Sequence, residues 1–304
     1  MLNKTKLNGF IPPKIVATTL LWAGLSAGIS AHDAEHHNEV TRLVSAGAGM
    51  TELVIALDAG DELVAVDSTS QLPETLSSVE KLGYHRMLSA EGILALEPDL
   101  VLGSDAMGPE TTLEVLEGAD IKVVKLAGAE TAEQLLSNIN KLGELLDRQK
   151  QAETLKFRVA QSFDSIKQKR VSITGSDKVP SILFMLLQDD RPVRVGGEGT
   201  AADTIIKLAG GKNIADFVGY KSLSQEGVLA LQPDLILISS RSESEEQSAP
   251  DKVLKQMPLL IHTPAGEHKM IHTLKAQALL GGLGLSSLEA ADKLASSLIE
   301  IQKY

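Results

Sequence analysis

A segment of 17 residues occurs twice in the chain, and this repeat restricts the possible folds more than any other feature of the sequence. LSAEGILALEPDLVLGS at 88–104 and LSQEGVLALQPDLILIS at 223–239 are identical at 12 of 17 aligned positions. The two copies stand 135 residues apart in a chain of 304 residues. A unit repeated at this distance predicts two lobes of similar design, each long enough for a core of its own.

Each copy predicts a short helix followed by a strand. Ser89 and Ser224 are suited to cap a helix N-terminus, and Glu91 and Glu226 follow in the first turn, where acids stabilise the helix dipole. Pro-Asp then ends each helix. The apolar runs LVLGS and LILIS are typical of buried parallel strands.

Strands and helices alternate in the rest of the chain as well. ELVAVDS, KVVKLAG, SILFMLL and KMIHTL have the composition of strands, whereas TAADTIIKLAGG has that of a helix with a glycine stop. This alternation predicts an α/β fold, in which two similar lobes have mainly parallel central sheets.

A long amphipathic segment, 148–170, separates the two copies. Its apolar residues lie 3, 4, 4 and 3 positions apart: Ala152, Leu155, Val159, Phe163 and Ile166. This spacing predicts one long connector helix between an N-terminal lobe, 40–147, and a C-terminal lobe, 171–304. The alternative is a surface helix within a single domain. We expect a ligand cleft between the lobes, near the ends of the strands.

The start of the chain has the composition of a secretory signal peptide. Three lysines precede the apolar run IVATTLLWAGLSAGIS, and ISA before His32 is a suitable cleavage site, so residues 1–31 are predicted to be removed. The alternative is an uncleaved membrane anchor, for which the run is short. Residues 32–39 include His32, His36 and His37 and are interpreted as a flexible histidine-rich tail, with a weak metal site as the alternative.

Two compositional features narrow the class of partner. The chain has no cysteine, so disulfides, thiolate metal sites and the lipid-modified cysteine of many exported bacterial proteins are excluded, which favours a Gram-negative periplasm. Removal of 1–31 takes away three lysines and no acids, so the formal charge falls from −11 to −14. Nucleic acid is not expected as a partner, because phosphate binding requires a basic surface. We expect a monomer without stable membrane insertion after signal removal.

Together these motifs resemble periplasmic substrate-binding proteins of ABC transporters. The resemblance rests on the signal peptide, the repeat, the central helix, GTAADTIIKLAGGKNI and TPAGEHKM, and it extends over 40–302. GYHRMLSAEGILAL, STSQLPE and TPAGEHK point to the haem-binding group of Gram-negative bacteria, within a class that also includes vitamin B12 and siderophore binders. The resemblance implies a carrier and not an enzyme, which captures haem b and delivers it to an inner-membrane ABC permease dimer.

The resemblance also assigns roles to two residues of the GYHRML loop. In the family a tyrosine of this loop is the axial ligand of the haem iron, and it matches Tyr84. The family arginine that hydrogen-bonds the tyrosine oxygen matches Arg86. Phenolate is a hard donor suited to ferric iron, and a nearby guanidinium favours the anion. Without the resemblance, Tyr84 would be interpreted as a boundary tyrosine with a wet hydroxyl, and Arg86 as a surface cation.

Other histidines are weaker candidates for the iron. Neighbouring residues of an extended loop point in opposite directions, so His85 is expected to face away from Tyr84, either as a second choice of ligand or as a solvated side chain. Some relatives hold a second haem with a histidine where this chain has Gln188, which implies one haem per chain. His262, His268 and His272 are not brought together by their spacing.

Two further cleft residues are carried over from the family or the repeat. Arg241 directly follows the strand LILISS, and some family members have an arginine near this point that contacts a haem propionate. Its alternative is a solvated arginine in a polar loop. Tyr220 in GYKSLSQEG is the counterpart of Tyr84 in the repeat and is expected either to face Tyr84 across the cleft or to pack within its own lobe.

The repeated glutamates have a separate implied role. In this class one glutamate of each lobe docks into arginine pockets of the permease, and these positions match Glu91 and Glu226. Their pseudo-symmetry suits a permease built from two identical subunits. The alternative is that both are plain N-terminal acids of their helices.

Three competing functions remain open. The same kind of carrier could transport a ferric siderophore, cobalamin or a haem breakdown product. An enzyme is not favoured, because the chain has no Gly-x-Ser-x-Gly, P-loop or His-Glu-x-x-His motif and no cysteine. A zinc carrier is not favoured, because closely spaced histidines occur only in the N-terminal tail.

Overall fold

The structure is a computed structural model and describes residues 40–175, 178–188, 191–240 and 249–301. The predicted signal peptide, the histidine-rich tail and Arg241 lie outside these residues. Over the described ranges, no helix combines the length and the apolar character that crossing a bilayer requires.

The N-terminal sheet consists of five parallel strands. They are β1 (Leu43–Ala46), β2 (Leu63–Val66), β3 (Glu80–Lys81), β4 (Leu100–Ser104) and β5 (Lys122–Leu126). Their spatial order is β3-β2-β1-β4-β5. Leu43 of β1 lies opposite Leu63 on one side and Leu100 on the other. The central strand is thus paired on both edges and buried on both faces, which explains its uninterrupted apolar character.

Four helices cover this sheet, and the sheet and the helices together form the N-terminal lobe. They are α1 (Ala48–Ala56), α2 (Ala90–Leu94), α3 (Glu110–Gly118) and α4 (Ala132–Leu145). Helix α4 begins with a capping box, in which the Thr131 hydroxyl accepts from Gln134 N–H and the Gln134 side chain accepts from Thr131 N–H. This motif fixes where the helix starts.

The long connector, α5 (Gln149–Thr174), follows with the predicted buried face. Ala152, Leu155, Val159 and Ile166 are buried, and Phe163 is half-buried. The helix continues four residues beyond the predicted end because Ile173 adds one more buried contact on the same face. A Cβ at Gly143 of α4 would lie 2.5 Å from the Ala152 Cβ, so glycine allows these two helices to approach closely.

The C-terminal sheet is mixed. Its strands are β6 (Ser181–Leu187), β7 (Arg194–Gly196), β8 (Lys212–Asn213), β9 (Tyr220–Ser222), β10 (Leu235–Ser240) and β11 (Ile271–Thr273). The order is β11-β10-β6-β7-β9, with β8 also paired to β6. Strands β11, β10, β6 and β8 are parallel, whereas β7 runs antiparallel to both of its neighbours.

Helices of the C-terminal lobe cover this second sheet. They are α6 (Ala201–Ala209), α7 (Gln225–Leu231), α8 (Ala249–Gln256), α9 (Pro264–Glu267) and α10 (Leu285–Ile301). Helices α6 and α10 pack against α5. One hydrophobic core therefore extends from Leu43 in β1 through α5 to Leu298 in α10, and each sheet has a smaller core on its other face. The expected α/β architecture with two related sheets and a connector helix is confirmed.

The repeated Pro-Asp has a structural role in both lobes. Asp99 accepts a hydrogen bond from Arg42 N–H, directly before β1, at 2.9 Å. Asp234 accepts one from Ser181 N–H, at the start of β6, at 2.8 Å. Each aspartate thus joins the segment after its repeat helix to the start of the adjacent parallel strand. The serine caps are equivalent as well, since Ser89 and Ser224 accept the N–H three residues on.

A second connection joins the lobes besides α5. The segment after β11 returns to the N-terminal lobe, where Leu283 N–H donates to the Ala129 carbonyl at 2.8 Å. A Cβ at Gly49 in α1 would lie 3.0 Å from the Gly281 carbonyl oxygen, so two backbones meet at this point. The two lobes are consequently held by one continuous helix and one returning segment.

Candidate functional site

The segment 82–88 follows β3 and forms a loop at the carboxyl edge of the N-terminal sheet. On one side, Ser68 N–H donates to the Gly83 carbonyl at 3.2 Å. On the other side, Gly108 N–H donates to the His85 carbonyl at 2.9 Å. The loop is therefore attached to the loops that follow β2 and β4, at the edge where parallel α/β sheets bind their ligands.

Tyr84 and Met87 are the large apolar side chains that this loop exposes. Tyr84 is 45% exposed, and Met87 is 76% exposed. Met87 N–H donates to the Tyr84 carbonyl at 2.7 Å, which closes a turn. An aromatic ring and a thioether exposed on one short loop form an apolar surface with a hydroxyl at its edge, the composition expected where a flat, largely apolar ligand docks.

His85 does not face away from Tyr84. The two ring centroids lie 4.3 Å apart and the ring planes are tilted by 56°. The expectation that the two side chains point in opposite directions is wrong, because it assumed an extended loop, whereas the backbone turns between residues 84 and 87. The His85 side chain is also only 15% exposed, so it is not a solvated loop histidine.

A fully buried carboxylate holds His85. His85 Nδ1 lies 3.1 Å from Asp67 Oδ2. Asp67 also accepts hydrogen bonds from the Gly47 and Thr69 N–H groups and from the Thr69 and Ser70 hydroxyls. Burial alone would raise the Asp67 pKa, but these hydrogen bonds outweigh it and keep the pKa below its ordinary value. The carboxylate is therefore ionised, and it is an acceptor for the imidazole.

A buried chain of hydroxyls leads from Asp67 to α1. The Ser70 hydroxyl donates to Asp67 Oδ1 at 2.7 Å and lies 2.7 Å from the Thr51 hydroxyl, which lies 2.9 Å from that of Ser45. All four side chains are buried. Sequence reasoning did not identify this network. The polar run DSTS at 67–70, directly after a predicted strand, is the signal that could have located it.

Arg86 lies on the same loop with an exposed side chain. Its guanidinium and the Tyr84 hydroxyl, both in the described part of the chain, are not hydrogen-bonded to each other here. Arg86 and Tyr84, the pair expected from the family, therefore lie two residues apart on one loop without a direct hydrogen bond between their side chains.

Tyr220 occupies a different environment from Tyr84. It is half-buried in β9, its ring lies 6.4 Å from that of Phe184, and the Arg194 guanidinium lies 5.2 Å from its centroid. Burial raises the Tyr220 pKa, and the Arg194 charge opposes this only in part. These contacts are those of a tyrosine that packs within its own lobe, the alternative that the sequence left open.

Glu91 and Glu226 occupy equivalent positions in the two lobes. Both are exposed and lie in the first turn of a helix capped by the preceding serine. For Glu226, its own N–H and the Ser224 hydroxyl keep the pKa of the carboxyl below its ordinary value. Two exposed anionic groups therefore project from matching sites of the repeat.

The remaining candidate iron ligands lie on different elements of the C-terminal lobe. Gln188 directly follows β6, His262 and His268 are exposed, and His272 is half-buried in β11, where burial lowers its pKa. Within residues 40–175, 178–188, 191–240 and 249–301, no group of three histidines, cysteines or acids could hold a metal ion.

Comparisons with known proteins agree with this architecture. Residues 43–278 match the family described as periplasmic binding protein. The periplasmic haem-binding protein HutB of Vibrio cholerae is 40% identical and superposes with a TM-score of 0.74 over 85% of this chain and 98% of that one. A periplasmic haem-binding protein from Pseudomonas aeruginosa is 35% identical, with a TM-score of 0.75 over 85% and 92%. BhuT, solved with two haems, is 30% identical, with a TM-score of 0.74 over 86% and 98%.

Curated sequences give a broader set of relatives. An uncharacterised ABC transporter substrate-binding lipoprotein of Bacillus subtilis, YvrC, is 26% identical over 68% of this chain and 66% of its own length, just under two thirds. The vitamin B12-binding protein of Vibrio campbellii is 27% identical over 67% of this chain and 73% of its own length. The similarity thus includes binders of two different tetrapyrrole-type cargoes.

Proposed function

We propose that this chain, which belongs to the periplasmic binding protein family, captures haem and delivers it to an inner-membrane ABC importer. The family consists of binding proteins, not enzymes, and its members serve ABC transporters. Haem as the cargo is supported by two haem-binding proteins that are 40% and 35% identical to this chain. The similarity extends over 98% and 92% of the length of those proteins.

The observation that carries the proposal is the position of Tyr84. Its ring is exposed at the carboxyl edge of the N-terminal sheet, on a loop that backbone hydrogen bonds hold on both sides. A phenol with an ordinary pKa of about 10 becomes a phenolate when ferric iron displaces its proton. Tyr84 would supply that oxygen to the iron, and Met87 would contact the apolar macrocycle beside it.

Arg86 and His85 would assist this ligand in different ways. The exposed guanidinium of Arg86 would stabilise the phenolate oxygen or pair with a haem propionate, because a cation favours a nearby anion. His85 contacts the Tyr84 ring from the interior side, where Asp67 holds it. Arg241 remains a proposed propionate partner from the C-terminal lobe.

The paired glutamates support delivery to a two-fold partner. Glu91 and Glu226 are both exposed at capped helix starts of the repeat, so they present equivalent charges to two identical basic sites of a permease dimer. Charges of this kind orient the encounter and raise its rate more than they add affinity.

We further propose one haem per chain, bound by a monomer in the periplasm after cleavage of residues 1–31. Glutamine is a poor iron ligand, so Gln188 would not support a second haem of the kind that BhuT holds. A ratio of one hemin per protein by absorption titration supports this number, and a ratio of two contradicts it. Sequencing of the mature protein from a periplasmic extract should begin at His32.

Cobalamin is the second candidate cargo, because several curated relatives are vitamin B12-binding proteins. Such a corrinoid already holds its metal with its own groups. A protein phenolate would therefore contribute much less to cobalamin binding than to hemin binding.

The test is a parallel absorption titration with hemin and with cyanocobalamin. Wild type should bind hemin, and Tyr84→Phe should weaken hemin binding at least about tenfold and remove the ferric phenolate signature. Tyr220→Phe is the matched control, because it removes a phenol that packs within its own lobe. Tight cobalamin binding without hemin binding would favour the second cargo, and an unchanged hemin spectrum in Tyr84→Phe would refute the ligand assignment.

A further inference from the structure

The contact between Asp67, His85 and Tyr84 has a role that loop folding does not explain. The backbone of segment 82–88 is already held by hydrogen bonds to Ser68 and Gly108. The Asp67–His85 contact is a side-chain contact, separate from these backbone hydrogen bonds. It does fix the direction of the imidazole, and the imidazole is the group that touches the Tyr84 ring.

The anchor of this contact is unusually well defined. Asp67 is completely buried and accepts hydrogen bonds from two backbone N–H groups and two hydroxyls before His85 is counted. A buried carboxylate with so many donors has one orientation, because any rotation would leave buried donors without a partner. The chain through Ser70, Thr51 and Ser45 connects it to β1 and α1.

The carboxylate also determines the proton position on His85. An ionised carboxylate only accepts hydrogen bonds, so the proton of the contact is on His85 Nδ1. The imidazole is therefore held at Nδ1, and its ring lies against the Tyr84 ring, with the two centroids 4.3 Å apart and the planes tilted by 56°. Tyr84 is otherwise 45% exposed, and without this neighbour its ring would sample several rotamers.

We propose that Asp67 and His85 are positioning residues for Tyr84. The buried Asp67 carboxylate holds the His85 imidazole, and the imidazole orients the Tyr84 phenol before the cargo binds. The inference rests on the proposed function and adds to it a preorganised ligand. Preorganisation of this kind lowers the conformational entropy lost on binding. Neither residue needs to contact the iron.

Two variants separate the parts of this arrangement. His85→Phe keeps an aromatic ring beside Tyr84 but removes the bond to Asp67, whereas His85→Gln keeps a donor for Asp67 but removes the ring. His262→Gln is the matched control, since it changes an exposed histidine of the other lobe. Circular dichroism and thermal unfolding confirm that each variant is folded.

The first measurement uses the protein without hemin. The chain has three tyrosines, so incorporation of 3-fluorotyrosine gives three ¹⁹F NMR signals, and Tyr84→Phe identifies the one from Tyr84. In both His85 variants this signal should move towards the position of free fluorotyrosine and become narrower, and in the control it should not. An unchanged signal in both variants would overturn the inference, whether or not the protein binds hemin.

The second measurement uses the hemin complex. Both His85 variants should still bind hemin, with a dissociation rate about tenfold higher and a broader high-spin ferric electron paramagnetic resonance signal. Unchanged rates and spectra contradict positioning. Conversion of a low-spin to a high-spin spectrum would show that His85 is itself an iron ligand and would also contradict it. Failure of wild type to bind hemin would instead refute the proposed function and leave the NMR result to decide positioning.

Discussion

Ser286 at the start of α10 donates both its backbone N–H and its hydroxyl to Glu52 Oε1 in α1, although the two residues are 234 positions apart. Burial raises the Glu52 pKa, and the two hydrogen bonds from Ser286 only partly offset this. The pair joins α10 to α1, the last and first helices of the part of the chain that the structure describes, where the returning segment meets the N-terminal lobe.

Replacement of Ser286 should weaken this link. Ser286→Ala removes a hydroxyl that donates to the half-buried Glu52 carboxylate, and we expect the free energy of unfolding to fall by about 1–3 kcal/mol. Urea denaturation measures this difference. Ser296→Ala changes an exposed serine of the same helix and should have little effect. Equal losses in the two variants would show that the contact with Glu52 has no special importance.

The repeated aspartates predict a dependence of stability on pH. Burial alone would raise the Asp234 pKa, but hydrogen bonds from Lys178 and Ser181 keep it below its ordinary value. The folded state therefore binds this proton less tightly than the unfolded state. Its stabilisation is present above about pH 4 and is lost as the pH falls through the lower folded pKa.

We therefore expect Asp234→Asn to be less stable than wild type at pH 7, by about 1–3 kcal/mol, and to lose less stability between pH 4 and pH 2. Unfolding in urea at a series of pH values measures both quantities. Asp251→Asn, in an exposed part of α8, is the control. Parallel stability curves for wild type and Asp234→Asn would contradict the assignment.

Arg86 should affect hemin affinity without affecting the fold. Arg86→Leu removes an exposed cation beside Tyr84, and we expect the dissociation constant for hemin to rise about tenfold while phenolate ligation is retained. Absorption titration and thermal unfolding measure the two effects. Arg158→Leu removes an exposed cation of α5 and should leave hemin affinity as it is.

Under the proposed docking role, Glu91 and Glu226 should act on transport and not on capture. In proteoliposomes that contain the permease, Glu91→Gln and Glu226→Gln should each lower the association rate with the permease about fivefold, and the double variant should lower it further. Higher salt should reduce the difference from wild type. Hemin affinity should be unchanged, and Glu117→Gln at an exposed position of α3 serves as control. A loss of hemin binding in these variants would place the glutamates in the cleft instead.

Local sequence was sufficient for most of the architecture. The repeat, the serine caps and the apolar face of α5 depend on residues near one another in the chain, and all three were predicted. Even so, the repeat has a backbone conformation that residue propensities do not predict. Glu97 and Gln232, at equivalent positions before proline, both have positive φ, a conformation that is uncommon for residues other than glycine.

What the sequence did not reveal depends on distant contacts. The contact of Glu52 with Ser286 joins residues 234 positions apart, and β7 pairs not only with β6 but also with β9, which lies more than 20 residues further along the chain. At the candidate site, Tyr84 could be named from the resemblance, but the surroundings of His85 could not. Its partner Asp67 is 18 positions away, and the turn that brings the two rings together depends on Met87.

The returning segment after β11 gives the two lobes a second connection in addition to α5. Together with the hydrophobic core that continues from β1 through α5 to α10, this second connection opposes a change in the angle between the lobes. Scattering profiles with and without cargo should therefore nearly coincide. Under the proposed function, release of the cargo would then depend on docking to the transporter and not on opening of the free protein in solution.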